Sequence, residues 1–70
     1  MSETLRVSIN GVGHEVQAGL TVAALIVSLG LDTNRVAVER NLQILPRVQW
    51  EATGVEPEDR YEIVHFVGGG

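Results

Sequence analysis

The chain has 70 residues, of which 44% are hydrophobic, and a formal net charge of -4. A domain of this size buries only about 60% of the surface that its unfolded chain exposes, which argues against a cavity that encloses a substrate. The absence of cysteine excludes disulfides and a cysteine nucleophile, and the acidic balance with scattered arginines argues against nucleic-acid binding.

A β-hairpin is predicted at the start of the chain. Residues 5–9 alternate apolar and polar side chains, and the Asn10-Gly11 pair that follows suits a type I′ turn because both residues tolerate positive φ. His14 then shares one face with five apolar residues and is expected to be a partly buried structural side chain rather than a metal ligand. Gly13 leaves open a bulge. The turn pairs Ile9 with Val12, Val7 with His14 and Leu5 with Val16.

One short helix is predicted next. Thr21 is a suitable N-cap, and Gly30 can supply the left-handed residue that ends the helix, with Leu31 folding back on its last turn. A buried strand is the rival interpretation of so apolar a run. The helix fits better because apolar residues recur at i, i+3, i+4 and i+7, at Val22, Leu25, Ile26 and Leu29.

The second half of the chain is predicted to contain three strands and one helical turn. Pro46 ends the second of these strands, because proline cannot donate to a ladder. Trp50 is expected to be buried as a clamp on the core rather than to form a ligand platform, because no aromatic or basic residue adjoins it. The strands are predicted at residues 36–39, 42–45 and 60–67, and the helical turn at residues 47–51.

This order of elements predicts an α+β fold, with residues 1–67 as the domain and residues 68–70 as a flexible tail. A helix packed across one face of a mixed sheet covers the apolar surfaces of both. If the first and last strands pair in parallel at the centre, the arrangement is the β-grasp (ubiquitin-like) fold. The end of the chain then leaves from the middle of the sheet.

The tail consists of Gly68, Gly69 and Gly70 and follows the last strand directly. Glycine loses more conformational freedom on ordering than any other residue, so we expect this tail not to pack. Three extended residues project about 10 Å, far enough for the terminal carboxylate to enter a narrow channel in another protein. A frayed terminus without function is the alternative.

Segments throughout the chain match the pattern of one known family. They are Asn10-Gly11, residues 21–25, residues 44–50, Asp59, residues 63–67 and the glycines. Together they resemble the ThiS family, the small ubiquitin-like sulfur carriers of thiamine thiazole biosynthesis. The most specific part is Pro46-Arg47-x-x-Trp50 combined with the diglycine end, which we take as Gly69-Gly70. The chain departs from the family at Glu58 and in the Asn41-Leu42 turn, where glycine is usual.

The resemblance implies that the chain is a cosubstrate and not an enzyme, and that it binds no cofactor or metal itself. A partner adenylating (ThiF-like) enzyme would use ATP and magnesium to convert the Gly70 carboxylate into an acyl adenylate, with Gly69 and Gly68 giving access. Sulfur from a cysteine desulfurase would then give a C-terminal thiocarboxylate, and thiazole synthase would accept that sulfur.

The last strand also predicts a surface for these partners. If Tyr61 and Ile63 face the helix, the period of two turns Val64 and Phe66 toward the opposite face of the sheet. Exposed side chains of this kind are expected to dock on the adenylating enzyme and on thiazole synthase. Their burial in a second cluster, or against Trp50, is the alternative.

Other functions remain compatible with the sequence. The tail could feed molybdopterin, cysteine or tRNA thiolation, or it could be conjugated to other proteins as a ubiquitin-like modifier; an inert β-grasp module is the alternative from another class. The absence of lysine reflects either genome composition or protection of an activated acyl group from amines. No membrane span or signal peptide is recognised, so we expect a cytoplasmic protein that is monomeric when free.

Overall fold

The computed structural model describes residues 3–66, which form a five-stranded mixed sheet with one helix packed across it. The strand order is β2-β1-β5-β3-β4, with β1 and β5 parallel at the centre and the other neighbours antiparallel. The predicted β-grasp fold is confirmed. The elements are β1 (Thr4–Ile9), β2 (Val12–Gln17), α1 (Val22–Ser28), β3 (Val36–Arg40), β4 (Gln43–Ile44), a 3₁₀ turn (Arg47–Gln49) and β5 (Arg60–His65).

The first hairpin has the predicted turn and the predicted register. Asn10 and Gly11 have φ of 51° and 83°, and Ser8 pairs with Gly13 without a bulge. The Asn10 side chain also bonds to the backbone of β5, since its Oδ1 accepts from the Ile63 amide at 2.7 Å and its Nδ2 donates to the Ile63 carbonyl at 3.2 Å. The turn residue therefore ties the hairpin to the central strand.

Helix α1 is capped at both ends as the sequence predicts. The Thr21 hydroxyl accepts a hydrogen bond from the Ala24 amide at 3.1 Å. At the other end Gly30 has φ of 77°, and the Leu31 amide donates to the Ile26 carbonyl at 3.3 Å, which is the Schellman arrangement. The buried face of the helix packs on the sheet. The core comprises Val7, Ile9, Val22, Leu25, Ile26, Val36, Val38, Trp50, Val55, Tyr61 and Ile63.

Strand β4 is shorter than predicted. The sequence predicts a strand over residues 42–45, but only Gln43–Ile44 pair with β3. The reason is that Asn41 and Leu42 form the turn, with φ of 52° and 71°. Strand β3 runs one residue further than predicted, to Arg40, and the described part of the last strand ends at His65. No helix in the described part of the chain is long and apolar enough to cross a membrane.

Two of the four non-glycine residues with positive φ in the described chain are not asparagine. Leu42 and Glu58 have φ of 71° and 67°, and they occupy the turns in which the sequence lacks a glycine usual in the family that it resembles. A residue with a Cβ in this left-handed region is strained by roughly 1–2 kcal/mol. Both turns therefore keep a glycine-type shape without glycine.

Replacing Leu42 with glycine is expected to stabilise the domain. The strain at positive φ is relieved, while the lost Leu42 side chain is 76% exposed and contributes little packing. After the larger unfolded-state entropy of glycine is subtracted, a gain of up to about 1 kcal/mol in the free energy of unfolding remains. Urea denaturation would measure it. The matched variant Leu42→Ala removes the side chain but keeps the strain; an equal gain in that variant would exclude φ as the cause.

Candidate functional site

The central strand β5 carries the chain toward the predicted site. It lies between β1 and β3, and beyond its end the Phe66 amide still donates to the Arg35 carbonyl at 2.8 Å. The backbone is therefore held by the sheet up to the last described residue. Gly70, predicted to carry the chemistry, and Gly68 and Gly69, predicted to give access, lie outside the described residues. The predicted domain boundary after Val67 lies outside them as well.

Val64 and Phe66 face solvent on the side of the sheet opposite the helix. Val64 is 61% exposed and Phe66 is 51% exposed, whereas Tyr61 and Ile63 are buried. Both side chains are exposed, as the period of two predicts. Phe66 nevertheless lines one depression together with Trp50, the residue named in the alternative. Their contact with partner proteins stays a prediction.

Two further apolar residues, Ala37 and Ile44, lie near Val64 and Phe66 on the open face. Ala37 is the cross-strand partner of Val64, and Ile44 on β4 is 77% exposed. A shallow groove of about 290 Å³ includes Ala37, Ile44 and Val64 in its lining, and an adjoining depression includes Ala37, Ile44 and Phe66. We call these four residues the sheet patch. An exposed apolar cluster rimmed by charged groups, here Glu39 and Glu62 in the first groove, is typical of a protein-binding surface.

Trp50 is buried beside this face, as predicted. It is 3% exposed, and its indole N–H donates to the Leu45 carbonyl at 2.9 Å. The expectation that no basic residue adjoins it is wrong, because the Arg47 guanidinium carbon lies 5.4 Å from the ring centre. Arg47 also donates to the carbonyls of Thr33 and Val36. The pair therefore fixes the segment after β4 onto the start of β3.

Asp59 is the one buried charged residue in the described chain, at 4% exposure, and it accepts four hydrogen bonds. The donors are Arg40 Nε at 3.0 Å, Asn41 Nδ2 at 3.1 Å, the Glu56 amide at 2.9 Å and the Tyr61 hydroxyl at 2.8 Å. This carboxylate joins the turn before β5 to the end of β3. We call Asp59 and the four residues that donate to it the Asp59 cluster. This cluster anchors the start of the central strand.

The cluster shifts the pKa values of its members. Burial alone would raise the pKa of Asp59, but the hydrogen bonds from Glu56, Asn41, Tyr61 and Arg40 outweigh burial and lower the pKa below its ordinary value. Burial and the bond to Asp59 raise the pKa of Tyr61. The side chains are thus held as a carboxylate and a neutral phenol, which suits an anchor rather than a proton shuttle.

The histidines are apart from each other and from this cluster. His14 lies half-buried on β2 and His65 lies exposed at the end of β5. Within residues 3–66, no group of three or more histidine or acidic side chains could hold a metal ion. The described chain offers an exposed apolar face and a central strand that precedes the glycines in the sequence.

Comparisons with known proteins agree on one family. The sequence model of the ThiS family matches residues 5–70. A thiazole synthase of Paramagnetospirillum magneticum is 44% identical over 66 residues, covering 94% of this chain but 20% of that protein, so the chain spans about a fifth of that relative. The sulfur carrier protein ThiS of Bacillus subtilis is 40% identical over 50 residues, covering 71% of this chain and 76% of that protein.

A solved structure extends the likeness to the fold. The crystal structure of the thiamine biosynthesis protein ThiS from Geobacter metallireducens superposes with a TM-score of 0.80 at 32% sequence identity. The superposition covers 94% of this chain and all of the Geobacter chain. This chain and the Geobacter protein therefore share the mixed sheet with one helix, and they are similar in both sequence and structure.

Proposed function

The chain belongs to the ThiS family of sulfur carrier proteins, and from this membership we propose that it delivers sulfur for thiazole formation in thiamine biosynthesis. As a family member it is a carrier and not an enzyme. The observation that carries the finer proposal is that the family match extends through Gly70, at the end of the segment that follows the central strand. The sulfur is carried there as a thiocarboxylate.

The proposed chemistry takes place at the carboxyl carbon of Gly70. A carboxylate is a poor acyl donor, so an adenylating enzyme with ATP and magnesium first joins the Gly70 oxygen to the α-phosphorus of ATP and releases pyrophosphate. A persulfide from a cysteine desulfurase then attacks the acyl carbon and expels AMP. A thiol cleaves the resulting acyl disulfide, which leaves the thiocarboxylate and a new disulfide. Gly69 and Gly68 add no Cβ along the route to this carbon.

Thiazole synthase is the proposed acceptor of the sulfur. The chain aligns with one fifth of the length of a Paramagnetospirillum protein named thiazole synthase. It also aligns, at 38% identity, with one fifth of a second protein of that name from Magnetococcus marinus. A carrier and its acceptor gain effective concentration when they share one polypeptide. This likeness therefore supports thiazole synthase over the other thiolation pathways as the recipient.

Intact-mass measurement tests the proposal. The chain would be incubated with ATP, magnesium, the adenylating enzyme of the same genome, and cysteine with its desulfurase. We expect a mass gain equal to one sulfur minus one oxygen, located at Gly70, and its reversal when thiazole synthase and its substrates are added. Linkage to the lysines of other proteins would instead identify a ubiquitin-like modifier. An unchanged mass would exclude both functions.

The sheet patch is the proposed docking surface for the adenylating enzyme. Replacing Phe66 with aspartate places a charge in an apolar contact, so we expect the dissociation constant for this enzyme to rise about tenfold or more. The fold should remain, because Phe66 is half-exposed and lies beyond the end of β5. Fluorescence anisotropy would measure the affinity.

A matched control separates the patch from a general charge effect. Val48 is 90% exposed and lies on the 3₁₀ turn, outside the sheet patch. Val48→Asp adds the same charge to the same kind of exposed apolar position, and it should bind like the unmodified chain. Equal affinities for the Phe66 and Val48 variants would remove the sheet patch from the proposal.

A further inference from the structure

Two arginine side chains without partners in the described chain share one groove. Arg6 and Arg60 form neither an ion pair nor a side-chain hydrogen bond with residues 3–66. Both line a groove of about 270 Å³ on the open face of the sheet, and we call it the arginine groove. The other arginines are satisfied by the chain itself, through an acidic partner or backbone carbonyls: Arg35, Arg40 and Arg47.

The strand register places these two residues on neighbouring strands at one end of the open face. Arg60 begins β5 opposite Ser8, and Arg6 lies two residues before Ser8 on β1. The Cα partner of Arg6 is Glu15, yet its guanidinium leans over Gly13, where an added Cβ would come within 3.0 Å of Nη2. Gly13 is the partner of Ser8, so the charged end of Arg6 reaches the row that contains Arg60, but it lies over β2, on the other side of β1 from Arg60.

The charges in the groove indicate what would fill it. Glu58 also lines the groove, together with Arg6 and Arg60. One additional carboxylate would bring the sum of these three charges to zero and could accept the paired N–H donors of a guanidinium group. A phosphate dianion would leave an excess of negative charge and meet Glu58 directly. The charge balance therefore favours a carboxylate over a phosphate.

We propose that the arginine groove receives an aspartate or glutamate side chain of the adenylating enzyme. This inference rests on the proposed function, because it assumes that the enzyme covers the open face while it takes in the tail. The groove and the sheet patch lie on that same face, at opposite ends of β5. An extended strand rises about 3.3 Å per residue, so Arg60 and Phe66 are about 20 Å apart along it.

This separation gives the two regions different tasks. Apolar contact near the tail is non-directional and allows the carrier to rotate on the enzyme. An ion pair at the far end of β5 fixes the orientation of the sheet and accelerates association through long-range attraction. Because the chain as a whole carries a net charge of -4, an acidic enzyme surface would be repelled by the chain overall and attracted by the two arginines of this groove.

Charge-neutral variants test the proposal. Arg6→Gln and Arg60→Gln should each raise the dissociation constant for the adenylating enzyme about three- to tenfold, and the double variant should lose most of the salt dependence of binding. Glu58→Gln removes the competing carboxylate and should tighten binding. The matched control is Arg35→Gln, which also removes one exposed arginine charge, from an ion pair with Asp32. Circular dichroism would verify that each variant is folded.

The outcomes distinguish this inference from the function on which it rests. If the unmodified chain is adenylated while Arg6→Gln and Arg60→Gln bind like Arg35→Gln, the groove proposal fails and the proposed function stands. Competition by millimolar inorganic phosphate, without an equal effect of chloride, would overturn the carboxylate assignment in favour of a free anion. If the unmodified chain neither binds the enzyme nor gains sulfur, both proposals fall together.

Discussion

Deleting Gly70 is expected to abolish adenylation and thiocarboxylate formation while leaving the thermal unfolding of the domain unchanged. The proposed reaction occurs at one carbon, and a chain ending at Gly69 presents its carboxylate about 3.5 Å short of that position. A displacement of the reacting carbon by this distance is expected to lower the rate of adenylation by several orders of magnitude. The buried core of the described chain consists of residues between Val7 and Ile63, so the deletion removes no core residue. Pyrophosphate release and intact mass would measure the reaction, and calorimetry would measure the unfolding.

Two companion variants separate position from chemistry. Gly70→Ala keeps the carboxylate in place but adds a methyl group beside the acyl carbon, and it should slow adenylation without abolishing it. Adding one glycine after Gly70 keeps the tail bare but moves the carboxylate outward, and it should react as poorly as the deletion. A deletion variant that still acquires sulfur at the normal rate would exclude Gly70 as the carrier residue.

Local patterns sufficed to predict much of the fold. Asn10-Gly11 fixed the hairpin register because turn type and the period of two agree on one pairing. The caps at Thr21 and Gly30 bounded the helix for a similar reason. Strand β4 was predicted too long because Leu42 has an apolar side chain that suits a strand, whereas the turn forces it to positive φ.

The candidate surface could be predicted only along a single strand. The period of two placed Val64 and Phe66 on the open face without knowledge of any other element. The place of Ile44 in the sheet patch and the groove shared by Arg6 and Arg60 depend on the order of strands across the sheet, which no local pattern specifies. Arg47 was missed beside Trp50 because the 3₁₀ turn brings residues three apart onto one side.

Replacing Asp59 with asparagine is expected to lower the free energy of unfolding by about 2–4 kcal/mol. The Asp59 carboxylate accepts four hydrogen bonds while nearly fully buried. Three of the donors bond Oδ2, and only Asn41 Nδ2 bonds Oδ1. Asparagine has one acceptor oxygen, so even with that oxygen toward the three donors its amide group faces the amide donor of Asn41, and the charge that strengthens the bond from Arg40 is lost. Small domains have a total stability of about 5 kcal/mol or little more, so a measurable fraction of the variant should be unfolded at ambient temperature.

The pH dependence of stability identifies the carboxylate as the cause. Because the pKa of Asp59 is lowered in the folded state, its contribution is complete above the unfolded pKa of about 3.9 and is lost as pH falls through the folded value. Asp59→Asn should lack this acid-induced loss. The matched variant Tyr61→Phe removes one donor to Asp59 and keeps the ring; it should cost about 1 kcal/mol and retain the acid-induced loss. If the asparagine variant loses as much free energy of unfolding at low pH as the unmodified chain, another carboxylate causes that loss. The Asp59 cluster would then not be the anchor of β5.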